Sequence, residues 1–249
     1  MSQCPHCQRT EHQVKAGLNA SGSQRYLCKA CQRKYTPEPN LNGYADEMRR
    51  QAVEMYVDGL NLRRIARLLK VSPQSVANWV TAHADRLPDL PPVPSDEVEV
   101  EELDELFTFV ERKKNEVFVV TAVDRLTHCV LGWTVVPERT TEALQALLDR
   151  SPQAQRYYSD DFSTYHSLVY YPGQHRALRD KSQTYSVEAD NAELRHYLAR
   201  LARRSRCFSR GIHALRRAIK LFVFAWNRRQ LFRRTFPGYP AHVKDFVCP

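Results

Sequence analysis

Two short runs near the start, Cys4-Pro-His-Cys7 and Cys28-Lys-Ala-Cys31, constrain the fold of this chain more than any other feature. Twenty residues separate them (28 − 7 − 1). Paired Cys-x-x-Cys knuckles at that spacing match a four-thiolate zinc ribbon, closed by one structural Zn²⁺. A domain this small cannot hold itself together by apolar burial, so metal binding supplies the folding free energy. The competing reading is a chance pair of redox-active motifs. The stretch QRYLC, residues 24–28, predicts a short strand running into the second knuckle. His6 and His12 could also ligate, but four thiolates complete the set without them. Cys129, Cys207 and Cys248 have no partner spacing and read as isolated thiols.

Length and composition leave the rest open to ordinary globular folding. The 249 residues are 43% hydrophobic and 26% charged, enough for one large domain or roughly two to three smaller ones. The first residues lack the apolar stretch of a signal peptide, and no apolar run approaches the ~18 residues of a membrane span. A cytosolic or nucleoid location with reduced thiols is the expectation. The net charge of +9 is unevenly spread. Residues 1–36 carry six Lys/Arg and one acid, a net of +5, and residues 37–94 balance at seven of each. Residues 95–194 hold ten bases and nineteen acids, a net of −9. Residues 195–234 hold twelve Arg, one Lys and no acid, a net of +13. Basic segments on either side of an acidic centre suggest a polyanion gripped at several points. The excess of Arg over Lys suits phosphate.

Helical spacing begins after Gly43. Residues 45–57 predict an amphipathic helix stopped by Asp58-Gly59, and residues 61–87 predict two short helices joined by a tight turn. Ile65, Leu68, Leu69, Val71, Val76, Trp79 and Val80 supply the expected shared core. Ser72 suits the N-cap and Pro73 the first position of the last helix. This is the pattern of a helix-turn-helix over residues 43–87, whose second helix enters the major groove. Gln74, Ser75, Asn78 and Thr81 would then face bases, with Arg63, Arg64 and Arg67 on phosphates. A three-helix bundle used only for packing has the same pattern.

Residues 88–97, with four prolines, read as a stiff linker between the helix-turn-helix and the remaining 98–249. Seven acids follow within residues 95–105. Asp96, Glu97, Glu99 and Glu101 are expected to keep the linker's exit extended and away from DNA. From Glu102 to Val136 the sequence reads as three consecutive strands, with Asp124 a hairpin-turn residue. A helix over 141–149, a strand ending at Asp160 and a helix over 186–205 complete the order of a ribonuclease-H-like fold. Carboxylates converging from different elements of that fold hold divalent metal, and two ions act on a phosphodiester from both sides. Asp104 lies mid-strand among apolar neighbours, where a metal would offset its desolvation.

The runs ELDE at 102–105, SDDFSTY at 159–165 and EADNAELRHYLARLARRSRCFSR at 188–210 resemble the catalytic segments of transposases of the insertion-sequence-one family. That family joins a zinc ribbon and a helix-turn-helix to a catalytic domain, so the resemblance covers roughly residues 1–215. It implies a DDE transposase with Asp104, Asp160 and Glu188 as catalytic and metal-ligating acids, and two Mg²⁺ or Mn²⁺ ions. Where the family has Gly the chain has Asp161, so Asp160 and Asp161 compete for the second position. The 27 residues between Asp160 and Glu188 (188 − 160 − 1) place an insertion in a loop around 170–174. Asn191, three residues after Glu188 on the same helix face, is expected to orient it. Arg195, Arg200, Arg203, Arg204 and Arg210 would grip phosphates beside the metals. The resemblance further implies a bacterial protein that binds the inverted ends of an insertion element and target DNA, working as at least a dimer. A non-catalytic regulator derived from a transposase and a structure-specific nuclease on the same fold are the alternatives. The aromatic, basic tail from residue 220 could pack, contact DNA or join protomers.

Overall fold

The computed structural model describes residues 3–19, 22–38, 43–95, 97–178, 185–201 and 207–248, with Leu178 and Tyr185 described by backbone alone. The chain divides into two compact units, residues 1–46 and 47–249. The small unit is an antiparallel sheet of β1 (Gln13–Leu18), β2 (Gln24–Cys28) and β3 (Lys34–Tyr35), in that order. Its buried centre is little more than Cys4, Cys28 and Tyr35, with Cys7, Tyr26 and Cys31 against them. So few apolar groups cannot offset the entropy of ordering the chain.

The large unit opens with α1 (Asp46–Val57), α2 (Leu62–Leu69) and α3 (Pro73–Arg86). Each boundary has a local cause. Gly59 takes a left-handed φ of +95° after α1. The Asn61 side chain caps α2 by accepting from the Arg64 N–H, and Lys70 closes it in the left-handed region. Ser72 caps α3 by accepting from the Ser75 N–H, with Pro73 in the first turn. Ile65, Val76 and Val80 are buried as the apolar spacing predicts. Leu68, predicted in the core, is 58% exposed. It follows Arg67 on the outward side of a helix only two turns long, and Ala66 takes the inward place beside Ile65.

The sheet follows. Strand β4 (Val98–Phe109) pairs antiparallel with β5 (Glu116–Asp124), which pairs antiparallel with β6 (Val130–Val136). Helix α4 (Thr141–Leu148) crosses to β7 (Ala154–Asp160), parallel to β4. Strand β8 (Gln174–Leu178) adds a parallel edge, giving the order β6-β5-β4-β7-β8. The chain then runs through α5 (Tyr185–Tyr197) and α6 (Ile212–Thr235). The segment predicted as a loop insertion therefore leads into a fifth strand. The helix predicted over 186–205 stops at Tyr197, because Leu198 and Leu201 turn inward and are buried. Predicted acidic spacing at the linker's exit also gives way to structure. The strand starts at Val98, Glu99 pairs with Arg156, and Glu101 is fully buried. Asp96 lies outside the described residues.

One apolar cluster joins α1, α2 and α3 to one sheet face (Leu106, Val119, Val135) and to α5 and α6 through Leu194, Leu198, Phe222 and Trp226. Each fully buried Leu or Phe there is worth about 1.5–3 kcal/mol. The opposite face, Leu103, Val120 and Ala122, meets Leu144 and Leu147 of α4 and Tyr165. The sheet is thus the middle of three layers. Helix α6 also guards the edge strand β6. Buried Asn227 accepts from the Val130 N–H and donates to the carbonyls of Val130 and Pro92, while Arg216 donates to the Val135 carbonyl. Arg228 and Arg229 donate to carbonyls of the C-terminal segment. Arg216, Arg228 and Arg229 of this helix thus serve main-chain carbonyls elsewhere in the protein.

Gly173 admits β8 to the sheet. A Cβ there would press on the Ala154 carbonyl oxygen and stand 2.6 Å from the Tyr157 ring. Gly173→Ala is predicted to destabilise the large unit by about 1–3 kcal/mol, the cost of overpacking, in a urea unfolding curve.

Candidate active site and cysteine cluster

Alternation along β4 decides what each acid can do. Glu102 and Asp104 face α5, whereas Glu101 and Glu105 face the α4 side with Leu103. Glu102 is fully buried. Its Oε2 accepts from the backbone N–H groups of Ser186 and Val187, both at 2.9 Å, and its other oxygen is ion-paired with Arg125. The guanidinium of Arg125 lies 4.9 Å from the centroid of the Tyr158 ring. The orphan donors at the start of α5 thus find a carboxylate on the sheet, in the sense the helix dipole favours.

One turn into α5, the Asn191 amide N–H donates to Asp104 Oδ2 at 2.8 Å. The Asn191 amide oxygen accepts from Thr121 Oγ1 at 3.2 Å, and Thr121 lies directly opposite Asp104 on β5. Asn191 was expected to orient Glu188; it holds Asp104 instead, because its side chain points down onto the sheet. Asp190 adds a third tether through His128 Nδ1 at 3.3 Å. Glu188 lies half-buried in the first turn of α5 between these tethers. Strand β7 brings the third acid. Glu102 is in register with Tyr158, and two residues further along the parallel strands come Asp104 and Asp160. Burial pushes the Asp104 carboxyl above its ordinary range, against the Asn191 hydrogen bond, and the charges of Glu188 and Asp160 push it further. Asp104 is therefore within electrostatic reach of both Glu188 and Asp160.

The neighbouring Asp160 and Asp161 differ in surroundings. Asp160 Oδ1 accepts from the Phe162 N–H at 3.1 Å, and its charge is felt by both Asp104 and Glu105. Asp161 is paired with His166 at 3.1 Å on the surface. Glu105 was passed over in the sequence. It is pushed up to about 7, by burial first and then by Asp160, with Arg139 at 3.3 Å opposing. Its signal was the alternation itself, since Glu101, Leu103 and Glu105 share a strand face.

Among the described residues, the metal-binding side chains whose ligand atoms all lie within 4.8 Å of one another are Cys4, Cys7, Cys28 and Cys31. The three carboxylates form no such group. The Sγ atoms of Cys4 and Cys31 are 3.7 Å apart, and those of Cys7 and Cys28 3.6 Å. A tetrahedron with Zn–S bonds of about 2.3 Å has edges of about 3.8 Å, so the four sulfurs fit zinc. The two knuckles share one shape, from a repeat overlooked in the sequence: Cys-x-x-Cys-Gln-Arg. The Cys4 N–H donates to the Arg9 carbonyl and that of Cys28 to Arg33, each at 3.0 Å. Gln8 and Gln32 both turn through the left-handed region, at φ 61° and 59°.

Arg63, Arg64 and Arg67 are exposed on α2, and Gln74 and Asn78 on α3, where Gln74 donates to Asn78 at 2.8 Å. Ser75 is tied into the Ser72 cap, and Thr81 is half-buried. Arg210 is exposed and Arg195 half-buried. Arg200, predicted on phosphate, is engaged inside the protein. It donates to Ser209 Oγ and the Ala214 carbonyl and lies over the Tyr56 ring, because it must join α5 to the start of α6. Arg203 and Arg204 lie outside the described residues. Among the described residues, no helix is long and apolar enough to cross a membrane.

A ribonuclease-H-like sheet with acids on two adjacent strands and the following helix, preceded by a DNA-binding helix-turn-helix, defines a transposase of the DDE class. Residues 98–227 match the family described as IS1 transposase, and residues 44–91 match a homeodomain-like domain. The chain belongs to the IS1 transposase family. Solved structures similar to it include the following three. The chain of the Mos1 Strand Transfer Complex is 13% identical at a TM-score of 0.36, with 81% of this chain and 79% of that one covered. The HTLV-2 integrase catalytic core domain in complex with magnesium is 13% identical at 0.31, with 61% and 80% covered. The chain of the simian T-cell lymphotropic virus intasome in complex with PP2A regulatory subunit B56 gamma is 12% identical at 0.33, with 58% and 57% covered. The chain thus spans little more than half the length of that last relative.

Glu101 yields a pH dependence. Among the described residues neither of its carboxylate oxygens has a hydrogen-bond partner, and burial, aided by the charge of Asp124, pushes it up to about 8 from 4.5. The folded chain holds this proton more tightly than the unfolded chain, so stability falls as pH rises from about 4.5 through about 8. Glu101→Gln is predicted to melt several degrees above the parent at pH 8 and alongside it at pH 5, by calorimetry.

Proposed function

We propose that this chain binds the ends of its insertion element and catalyses DNA strand cleavage and strand transfer at Asp104, Asp160 and Glu188. The observation that carries the reading is Asp104 itself: a mid-strand carboxylate, held by Asn191, that feels both Glu188 and Asp160. Two Mg²⁺ or Mn²⁺ ions bound by these acids would offset charge on the attacking and leaving oxygens of an in-line displacement. The protein's part is positioning. Glu102 and Asn191 fix α5 on β4, so Glu188 and Asp104 keep one separation through both cleavage by water and attack by the freed 3′-OH.

The domain plan is a zinc ribbon at 1–40, a helix-turn-helix at 43–87, a linker at 88–97 and the catalytic domain at 98–249. Cys4, Cys7, Cys28 and Cys31 hold one structural Zn²⁺, supported by their tetrahedral spacing. Gln74, Ser75, Asn78 and Thr81 read base edges of the terminal inverted repeats, and Arg63, Arg64 and Arg67 meet phosphates. Arg195 and Arg210 contact phosphates near the metals, with target DNA the second substrate. Pairing two ends requires a dimer or larger assembly. The protein works on the nucleoid in the bacterial cytoplasm.

Strand transfer of a labelled element end into plasmid tests this. Asp104→Ala and Glu188→Ala are expected to abolish joining while end binding persists, and Asn191→Ala to lower it about 10- to 100-fold through Asp104. Asp160→Asn is expected to lose joining and Asp161→Asn to keep it, since Asp161 is committed to His166. Substantial joining by Asp104→Ala sinks the assignment; binding without joining in the parent favours a regulator. For the ribbon, chelation should expose four reactive thiols and unfold residues 3–38, and a thiol titration unchanged by chelator would contradict the zinc site.

A further inference from the structure

We propose that the β4–β5 hairpin seats an unpaired DNA strand, on a phenylalanine ledge with a basic tip beside the carboxylates. The inference rests on the strand-transfer reading and adds a substrate subsite to it. Strand β7 ends at Asp160, but β4 continues to Phe109, still paired with β5 as far as Glu116. The hairpin therefore projects beyond the acids. On its α4-side face, Phe107 is 48% exposed and meets Phe118 across the strands, with ring centroids 5.8 Å apart. Phe109, two residues on, meets Phe208, which is 45% exposed, at 5.7 Å. The segment carrying Phe208 is fixed there by the Glu111 N–H donating to the Ser209 carbonyl at 2.7 Å.

Two exposed rings, Phe107 and Phe208, flanked by the half-buried Phe109 and Phe118, mark an interaction surface. Charge selects the occupant. The hairpin tip carries Arg112, Lys113 and Lys114, all exposed, and Arg210 follows Ser209. These four cations outnumber the two acids of the projecting segment 107–118, Glu111 and Glu116. Aromatic rings interleaved with cations suit a polyanion that also offers flat π-faces, which is single-stranded nucleic acid. A duplex hides those faces inside its own stack. The ledge is also continuous with the acids. Phe162, whose N–H donates to Asp160, and Phe118 lie on either side of the Arg139 guanidinium, at 3.7 and 4.4 Å to their centroids. Asp104 and Phe107 are three residues apart, about 10 Å along the strand. That equals roughly three bases at the duplex rise. Asp104 and Phe107 point to opposite sheet faces, so the strand would cross β4 just where β7 ends.

The test is fluorescence anisotropy of the full chain with labelled oligo-dT and with a labelled element-end duplex. Phe107→Ala and Phe208→Ala should each weaken oligo-dT binding about tenfold and leave duplex binding unchanged, with Phe107→Trp retaining both. Replacing Arg112, Lys113 and Lys114 by Gln should lower the salt slope for oligo-dT by about 2. Parental oligo-dT affinity in both alanine variants overturns the proposal. So does a change in sedimentation mass of the free protein, which would make the ledge a contact between copies. Strand transfer on the same preparations separates the two readings, since a parent that joins no ends contradicts the transposase activity without altering the oligo-dT result.

Discussion

The arrangement of acids depends on one buried carboxylate, Glu102. It leaves water entirely, and three partners compensate: two N–H groups of α5 and the Arg125 guanidinium. Removing such a partner from a buried network costs about 3–5 kcal/mol, since the remaining charge and donors are stranded. The consequence is geometric. With its first turn bound to β4, α5 lies where Asn191 reaches Asp104 and the charge of Glu188 is felt there. The far end of the same helix enters the core shared with α1, α2 and α3 through Leu194, with Leu198 joining it just past the helix end. A Cβ on Gly59, at the turn after α1, would stand 3.4 Å from the backbone oxygen of Tyr197 at the end of α5. One helix therefore joins the reader of DNA to the candidate chemistry.

Five acids on one strand show how position overrides residue type. Glu99 lies at the surface and pairs with Arg156. Glu101 is buried with no hydrogen-bond partner among the described residues and holds its proton to about pH 8. Glu102 builds the fold, Asp104 faces the other acids, and Glu105 is balanced between Asp160 and Arg139. Strand alternation sends successive carboxylates to opposite layers, and each layer offers different partners.

The features legible in the sequence were those with short-range causes. The cysteine spacing, the Ser72–Pro73 helix start and the Asp124 turn are local, and the structure has the sulfur cluster, the cap and a turn in which Asp124 accepts from Leu126 and Thr127. The order of strands and helices was equally readable, from apolar runs and the turn signals between them. What depended on distant partners was not. Glu101 read as linker charge because nothing nearby says that a strand begins at Val98 and is flanked by β5 and β7. Arg200 read as a phosphate contact because its real partners, Tyr56 and Ala214, lie on other elements. Strand β8 had no alternating signal strong enough to stand out from a loop, and the register of β7 supplies its pairing.

The most direct test of the central claim is divalent-ion binding itself, read as free Mn²⁺ by electron paramagnetic resonance during titration of the zinc-loaded protein. The account predicts saturable Mn²⁺ binding by the parent that disappears when Asp104→Asn and Glu188→Gln are combined, with the cysteine site intact. Equal Mn²⁺ binding by parent and double variant would show that these carboxylates are not the ligands, and would contradict the account.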